Sequence, residues 1–525
     1  MEAEAGIRIR YCSWVGRDVI LPAQIGEELA VIDIGSNSVR LVIYQTFGAH
    51  FTPVFNEKIL AGLGRDLRVT GRLSVKGRED CLQAILRFQR IAKARDISKL
   101  LIGATAALRV AEDASEYLAQ IKEATGLMIT PISGTEEARL SAMGLLAADT
   151  RREGLAADLG GASLELVHIK ARKIGESVSL PLGPFDVVEG PLSDIMPGDM
   201  SALSIKIDAE LDQQAASLFK ADTLFLIGGA WRNLAAVHQQ RTLYPLRTLQ
   251  DYRLDLAAAK GLAEWGSGEG AASLLDWSGL RKARAETLPY AALVLDRLLA
   301  RVQPSSIVIS MAGLREGLVQ EALPEAVQGR DAFFDGLRDF AFGALQAEEF
   351  GDPLFEFLTP MLDLLPQMLD SHGDNRRMVK AACLLAGLGK NLHPEYRPEL
   401  VFNDVLYAPV AGLTHEERAF LALSLFRSYA AKRACPNARA IETLLSDDQR
   451  DFAAIIGEAI RLAIVATGRS SGLLSAFRLK TKGDQLILSV EAGEQALITD
   501  QVMFRLKRLA TLLGRTGHVD THGTI

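Results

Sequence analysis

Several marks of specialised protein classes are scarce or missing in this chain. Its 525 residues hold four cysteines, Cys12, Cys81, Cys383 and Cys435, widely scattered, with no C-x-x-C pair and no Cys/His spacing suited to zinc. A disulfide framework and a zinc module are therefore excluded, and reduced, buried thiols are expected. No uninterrupted apolar run reaches the roughly 18–20 residues a membrane helix requires, since proline or charge breaks the stretches at 20–31 and 355–369, so no membrane span is expected. An excess of positive charge is missing as well: 58 basic residues against 65 acidic give a net charge of −7, which recruits no nucleic acid. The first 19 residues carry acids and arginines where a signal peptide has an apolar core, so 1–28 is read as an irregular extension and a cytoplasmic location is expected. What is present is enough apolar sequence, 48%, to fill three to four domains of about 150 residues.

Residues 29–47, LAVIDIGSNSVRLVIYQTF, place two β-branched runs around a Gly/Ser/Asn turn, a strand-turn-strand signal. A helix is expected from about Ser74 to Ala94, then strand, turn and helix start in KLLIGATAALRVAED. Residues 127–148 predict a short strand, a capped start and an Ala/Leu-rich helix. The pattern then restarts. DIGSNSVRLV at 33–42 aligns with DLGGASLELV at 158–167, matching Asp33/Asp158, Gly35/Gly160, Ser38/Ser163, Leu41/Leu166 and Val42/Val167, which implies two structurally equivalent α/β domains. TLFLIGGAWRNLA and SSIVISMAGLREGLV both read as a strand ending in small residues before a helix. After about Pro324 the sequence turns helical, with an expected hairpin at 477–490 and a closing amphipathic helix. The boundaries are thus 1–28, 29–150, 151–324 and 325–525.

Small-residue turns between strands expose backbone N–H groups, and two of them facing one another make a phosphate clamp without a P-loop. Gly35, Ser36, Asn37 and Ser38 form one candidate turn; Gly160, Gly161, Ala162 and Ser163 form the other. The aspartates preceding them, Asp33 and Asp158, suit a divalent cation such as Mg²⁺, which keeps most of its water and takes one or two carboxylates. Ser133-Gly-Thr-Glu136 fits a capping box, giving Glu136 a structural duty. Glu137, about 100° further round the helix, has none and can project into a cleft. Arg109 can donate a fork to phosphate.

Taken together, IDIGSNSVRLVI, GATAALRVAED, ISGTEEARL, DLGGASLELV, SLPLG, LIGGAWRNLA, ETLPYAALVLDRLL and SMAGLREGL resemble the exopolyphosphatase and guanosine pentaphosphate phosphohydrolase family. The resemblance spans about 31–320. It implies the actin, sugar-kinase and heat-shock ATPase superfold: two ribonuclease-H-like α/β domains followed by a mainly helical, degenerate HD-like domain, in a homodimer. It also implies Glu137 as general base and Asp158, Gly160, Ser163, Glu165 and Arg109 as site residues. Ala162 stands where a third glycine is common, and its N–H is expected to serve equally. No His-Asp dyad occurs, so His393 and His415 are expected to be structural.

The implied reaction is Mg²⁺-dependent hydrolysis of the terminal phosphoanhydride of inorganic polyphosphate, releasing orthophosphate. Guanosine pentaphosphate hydrolysis is the nearest alternative; an actin-like kinase and a guanosine tetraphosphate-binding regulator are further ones. Basic groups at Arg281/Lys282/Arg284, Arg376/Arg377/Lys380, Lys432/Arg433 and Arg505/Lys507/Arg508 are candidates for a polyanion track.

Overall fold

A computed structural model of the chain describes residues 26–188, 199–275, 277, 285–341, 347–365, 375–430 and 438–521. Residues 1–25, Cys12, Cys435 and the basic groups at 281–284 and 432–433 lie outside them. The chain divides into two compact units, 1–332 and 333–525.

The first unit holds two sheets. One contains β1 (Glu28–Ile34), β2 (Val39–Phe47), β3 (His50–Ile59) and β4 (Lys99–Ala104) in the order β3-β2-β1-β4. The other contains β5 (Gly154–Leu159), β6 (Leu164–Lys170), β7 (Lys173–Leu180), β8 (Thr223–Ile227), β9 (Arg253–Asp255) and β10 (Ser306–Ile309) in the order β7-β6-β5-β8-β10-β9. The first four strands of the second sheet thus repeat the order of the first, and so does the register. Asp33 faces Arg40 across β1/β2, and Asp158 faces Glu165 across β5/β6. β1 pairs parallel with β4 as β5 does with β8.

Alternation along the strands sends successive side chains to opposite faces. On the first sheet, Ala30, Ile32 and Ile34 pack with Ile85 and Phe88 of α1 (Val75–Ala94) and with Tyr117 and Ile121 of α2 (Ala114–Thr125). The opposite face, with Leu29 and Val31, meets Leu140 of α3 (Gly134–Ala148). On the second sheet, Leu155, Ala157 and Leu159 join Trp231 of α4 (Gly229–Arg241), Leu262 of α5 (Leu256–Ser267) and Leu295 of α6 (Leu288–Val302). Its opposite face, with Ala156, Phe225 and Ile227, takes Ala138, Ala142 and Leu145 of α3. The face of the first sheet that meets Leu140 also takes Leu318 and Val319 of α7 (Leu314–Ala322). Each fully buried Leu or Ile removes enough surface from water to contribute roughly 1.5–3 kcal/mol.

α3 and α7 therefore lie against each other between the sheets, and glycine sets their spacing. A Cβ on Gly317 would fall 1.9 Å from the Leu140 carbonyl oxygen, and one on Gly144 would fall 2.0 Å from that of Gly313. Backbone touches backbone there, so neither position admits a side chain.

Two expectations need correction. Residues 127–132 form no strand: Ile132 N–H donates to Ala104 O, but Pro131 has no N–H and the ladder goes no further. The capping box at Ser133 is only half made. Ser133 Oγ accepts from Glu136 N at 3.1 Å, while the Glu136 carboxylate turns to the guanidinium of Arg139, a stronger, charged donor than the cap amide.

In the second unit helices dominate, including α8 (Ala347–Leu362), α9 (Asn375–Leu385), α10 (Arg397–Leu406), α11 (His415–Ala430), α12 (Asp447–Thr467) and α13 (Asp500–Leu512). Phe420 of α11 packs on Phe452 of α12, ring centroids 5.0 Å apart. The hairpin is β11 (Phe477–Lys482) with β12 (Gln485–Val490), turning at Gly483 with φ 58°. β13 (Thr516–Asp520), which the sequence pattern did not indicate, adds to it in parallel. His415 is buried at the start of α11 and His393 stacks near Tyr396. Cys81 and Cys383 are buried free thiols. Among the described residues no helix is long and apolar enough to cross a membrane.

Candidate active site

A cavity of about 530 Å³ opens in the first unit between the two sheets. Both turns reach it from the ends of β1 and β5, and both are closed alike: Gly35 N–H donates to Ser38 O at 3.0 Å, Gly160 N–H to Ser163 O at 2.9 Å. The intervening N–H groups of Ser36, Asn37, Gly161 and Ala162 donate to no group of the described chain, although the Ser36 side is nearly buried. Of the four, Ser36 is buried and the other three are half-exposed; unpaired N–H groups facing a cavity are the donors an anion would use. The turns are in contact: a Cβ on Gly161 would lie 3.4 Å from Ser36 Cβ.

Four carboxylates share the cavity wall, Asp33, Glu137, Asp158 and Glu316. Glu137 lies in the first turn of α3, positioned by the Ser133 cap. Burial pushes its carboxyl up to about 7; the Arg109 guanidinium opposes this, and the charges of Asp158 and Asp33 add to it. Asp158 and Asp33 are raised too, chiefly by burial. Ser141 Oγ donates to Asp158 Oδ2 at 2.6 Å, and Arg315 Nε lies 3.8 Å from Asp33 Oδ2.

Arg109 and Glu165 do not line the cavity. Arg109 sits behind Glu137, its Nη1 donating to Glu137 Oε2 at 3.2 Å and to Ile132 O at 2.8 Å. Glu165 is 1% exposed and accepts from Ser179 Oγ at 2.8 Å; burial, with Glu137 and Asp158 nearby, holds its carboxyl well above the usual range. All other predicted positions, Gly35 to Ser38 and Gly160 to Ser163 included, meet at the cavity.

The site also holds cations that sequence reasoning did not assign: Arg40 from β2, Lys58 from β3, Arg232 from α4 and Arg315 from α7. Arg40 is drawn down to about 10 by burial and by the neighbouring Arg315 and Arg232 charges, a crowding of positive charge that an anion relieves. The quoted motifs around GGAWRN and MAGLREG were the available signal. Arg315 is held beside Glu316, whose carboxylate takes Tyr44 OH at 2.5 Å and Gly313 N–H at 2.9 Å.

Among the described residues no three His, Cys, Asp or Glu side chains are grouped to hold an ion directly. Asp33 and Asp158 are two hard oxygen donors that repel each other in a buried wall, which fits a cation of the Mg²⁺ type held largely through water. In the second unit, the clusters predicted as a track are tied locally. Lys380 pairs with Asp352 at 3.2 Å, and Arg505 and Arg508 both pair with buried Glu458, at 3.1 and 3.2 Å.

Residues 42–326 match the sequence model of the Ppx/GppA phosphatase family, and residues 363–519 match that of the exopolyphosphatase C-terminal region. Exopolyphosphatase 1 of Mycobacterium tuberculosis is 25% identical over 323 residues, covering 57% of this chain and 90% of that one. Its Mycobacterium leprae counterpart is 24% identical over 333 residues, covering 59% and 94%. Among solved structures, an exopolyphosphatase-like protein superposes with a TM-score of 0.51 at 25% identity, covering 56% of this chain and 97% of its own. An exopolyphosphatase from Cytophaga hutchinsonii gives 0.52 at 22%, covering 58% and 99%, a likeness of fold.

Proposed function

Because the chain belongs to the Ppx/GppA phosphatase family, we propose that it is an exopolyphosphatase, releasing orthophosphate from the end of inorganic polyphosphate. The observation that carries this reading is Glu137, a carboxylate held near neutrality on a cavity wall between two turns of unpaired amides. A base tuned to about 7 is matched to deprotonating water at ordinary pH. A kinase would require an acceptor hydroxyl instead.

In this reading the terminal phosphoryl sits on the N–H groups of the two turns, with Arg40, Arg232 and Arg315 neutralising its oxygens and those of the next phosphate. Glu137 orients a water in line with the scissile bond and takes its proton as the new P–O bond forms. The bridging P–O bond breaks, and the shortened chain leaves with the electron pair. Arg109 is a positioning residue: it keeps Glu137 charged and aimed, as its two hydrogen bonds support. Glu165 holds Ser163 and Ser179 from beneath. Asp158 and Asp33 would hold Mg²⁺, which when bound supplies positive charge to the phosphate oxygens. We read the repeated sheets as ribonuclease-H-like halves of an actin-like core spanning 29–150 and 151–324, and 325–525 as a degenerate HD-like helical domain in a cytoplasmic homodimer.

The test is orthophosphate release with Mg²⁺ from long-chain polyphosphate, guanosine pentaphosphate and ATP, by the wild type and Glu137→Gln. Release from polyphosphate that collapses in the variant is expected. Turnover of guanosine pentaphosphate alone moves the substrate to the nucleotide, and full activity in the variant removes Glu137 as the base.

A further inference from the structure

Serine in a helix interior normally points to water or bonds the carbonyl one turn back. Ser141 does neither. It is 1% exposed in the middle of α3 and gives its hydroxyl to Asp158 Oδ2 at 2.6 Å, the short range of a charge-assisted bond. It stands four residues after Glu137, so the two side chains share one face of the helix. α3 thereby reaches the site twice: directly, with the Glu137 carboxylate at its first turn, and one turn on, from behind the cavity wall, with a hydroxyl fixed to the carboxylate of Asp158. Asp158 Oδ1 accepts no hydrogen bond from the described chain, and the hydroxyl is the hydrogen bond that sets the rotation of this carboxylate.

We propose that Ser141 is a positioning residue for the divalent cation: it clamps Oδ2 of Asp158 so that Oδ1 is presented to the ion in one orientation, raising cation affinity. This rests on the reading of Asp158 as a cation ligand. An unclamped carboxylate would rotate and lose that preorganisation on binding. The residue also ties the cation's ligand to the helix bearing Glu137, so both keep a fixed separation.

The experiment measures Mn²⁺ binding to the full-length protein by electron paramagnetic resonance, without substrate, for wild type, Ser141→Ala, Ser141→Thr and Asp158→Asn. Thermal unfolding of each variant checks folding; alanine fills less space than serine and favours a helix, so Ser141→Ala is expected to fold. Ser141→Ala should weaken Mn²⁺ binding about tenfold, and the Mg²⁺ concentration giving half-maximal orthophosphate release should rise by a similar factor. Ser141→Thr, which keeps the hydroxyl, should stay within about threefold of wild type. Unchanged Mn²⁺ affinity in folded Ser141→Ala, or equal losses in folded alanine and threonine variants, would overturn the proposal. Wild-type Mn²⁺ affinity in Asp158→Asn would instead overturn the cation reading on which it rests.

Discussion

The two halves of the first unit carry the same turn on the same strand order, yet they place different side chains at matching positions. At the matching register position, across the strand from the aspartate, the first half has Arg40, which lines the cavity, and the second has Glu165, buried under its turn. The helices diverge further. Counted from their caps, Ser133 of α3 and Gly313 of α7, the third helical residue is glutamate in both, Glu136 and Glu316. One position on, α3 has Glu137 and α7 has Gly317. The repeated strand order thus supplies two equivalent places, one given to Glu137, the proposed base, and the other to the glycine that lets the helices touch. The backbone repeats from one half to the other, while the side chains at these matching positions do not, and acids and bases meet in one cavity, as Asp33 does with Arg315 at 3.8 Å.

The sharpest way to break this comparison is to equalise the halves. Glu137→Gln should lower orthophosphate release about 10³-fold, the scale of a lost general base, in a steady-state phosphate assay. The same substitution should stabilise the fold. Glu137 is raised in the folded state, so stability falls as pH rises from the unfolded value of 4.5 to about 7 and levels off above it. At pH 8 a neutral glutamine should therefore gain on the order of 1 kcal/mol in denaturant unfolding, a gain absent at pH 4.

Gly317→Ala attacks the other copy. With a Cβ driven to 1.9 Å from a backbone oxygen, about 3 kcal/mol or more of stability should go, seen as a lowered thermal midpoint. Next in size, Arg109→Gln removes the cation that pulls Glu137 down. The acid limb of the kcat/KM profile, near pH 7 in the wild type, should move about one unit to higher pH. Smallest is Glu165→Gln: since Glu165 is held above the usual carboxylate range, an amide should mimic its neutral form, and phosphate release should fall less than about fivefold, with a larger loss for Glu165→Ala.

How much of this could be read from residues alone follows from locality. The strand-turn-strand units, the duplicated turns and the start of α3 are written in runs of ten to twenty neighbours, and β1, β2, β5, β6 and α1 stand where the pattern put them. β3 escaped because Pro53 sits opposite a register shift at Ile43/Tyr44 and its exposed edge lacks clean alternation. β13 escaped because it completes a sheet only by pairing with β12, Gln485 opposite Thr516, across an intervening helix. In the site, Glu137 and the glycine turns were visible. Arg40, Arg232 and Arg315 were not assigned, since three separate elements deliver them, and nothing local joins Ser141 to Asp158 or turns Arg109 toward Glu137.

The backbone-on-backbone contact of α3 and α7 has a mechanical side. Helices that meet through large side chains stand apart by the length of those side chains; at Gly144 and Gly317 the two backbones touch directly, flanked by Leu140, Leu318 and Val319. Beside that contact, Arg139 Nη2 holds Glu136 on its own helix and Glu321 on the other. The contact and the tie together hold α3 and α7 as one piece, so Glu137 near the start of one helix and Arg315 near the start of the other are carried on a shared support.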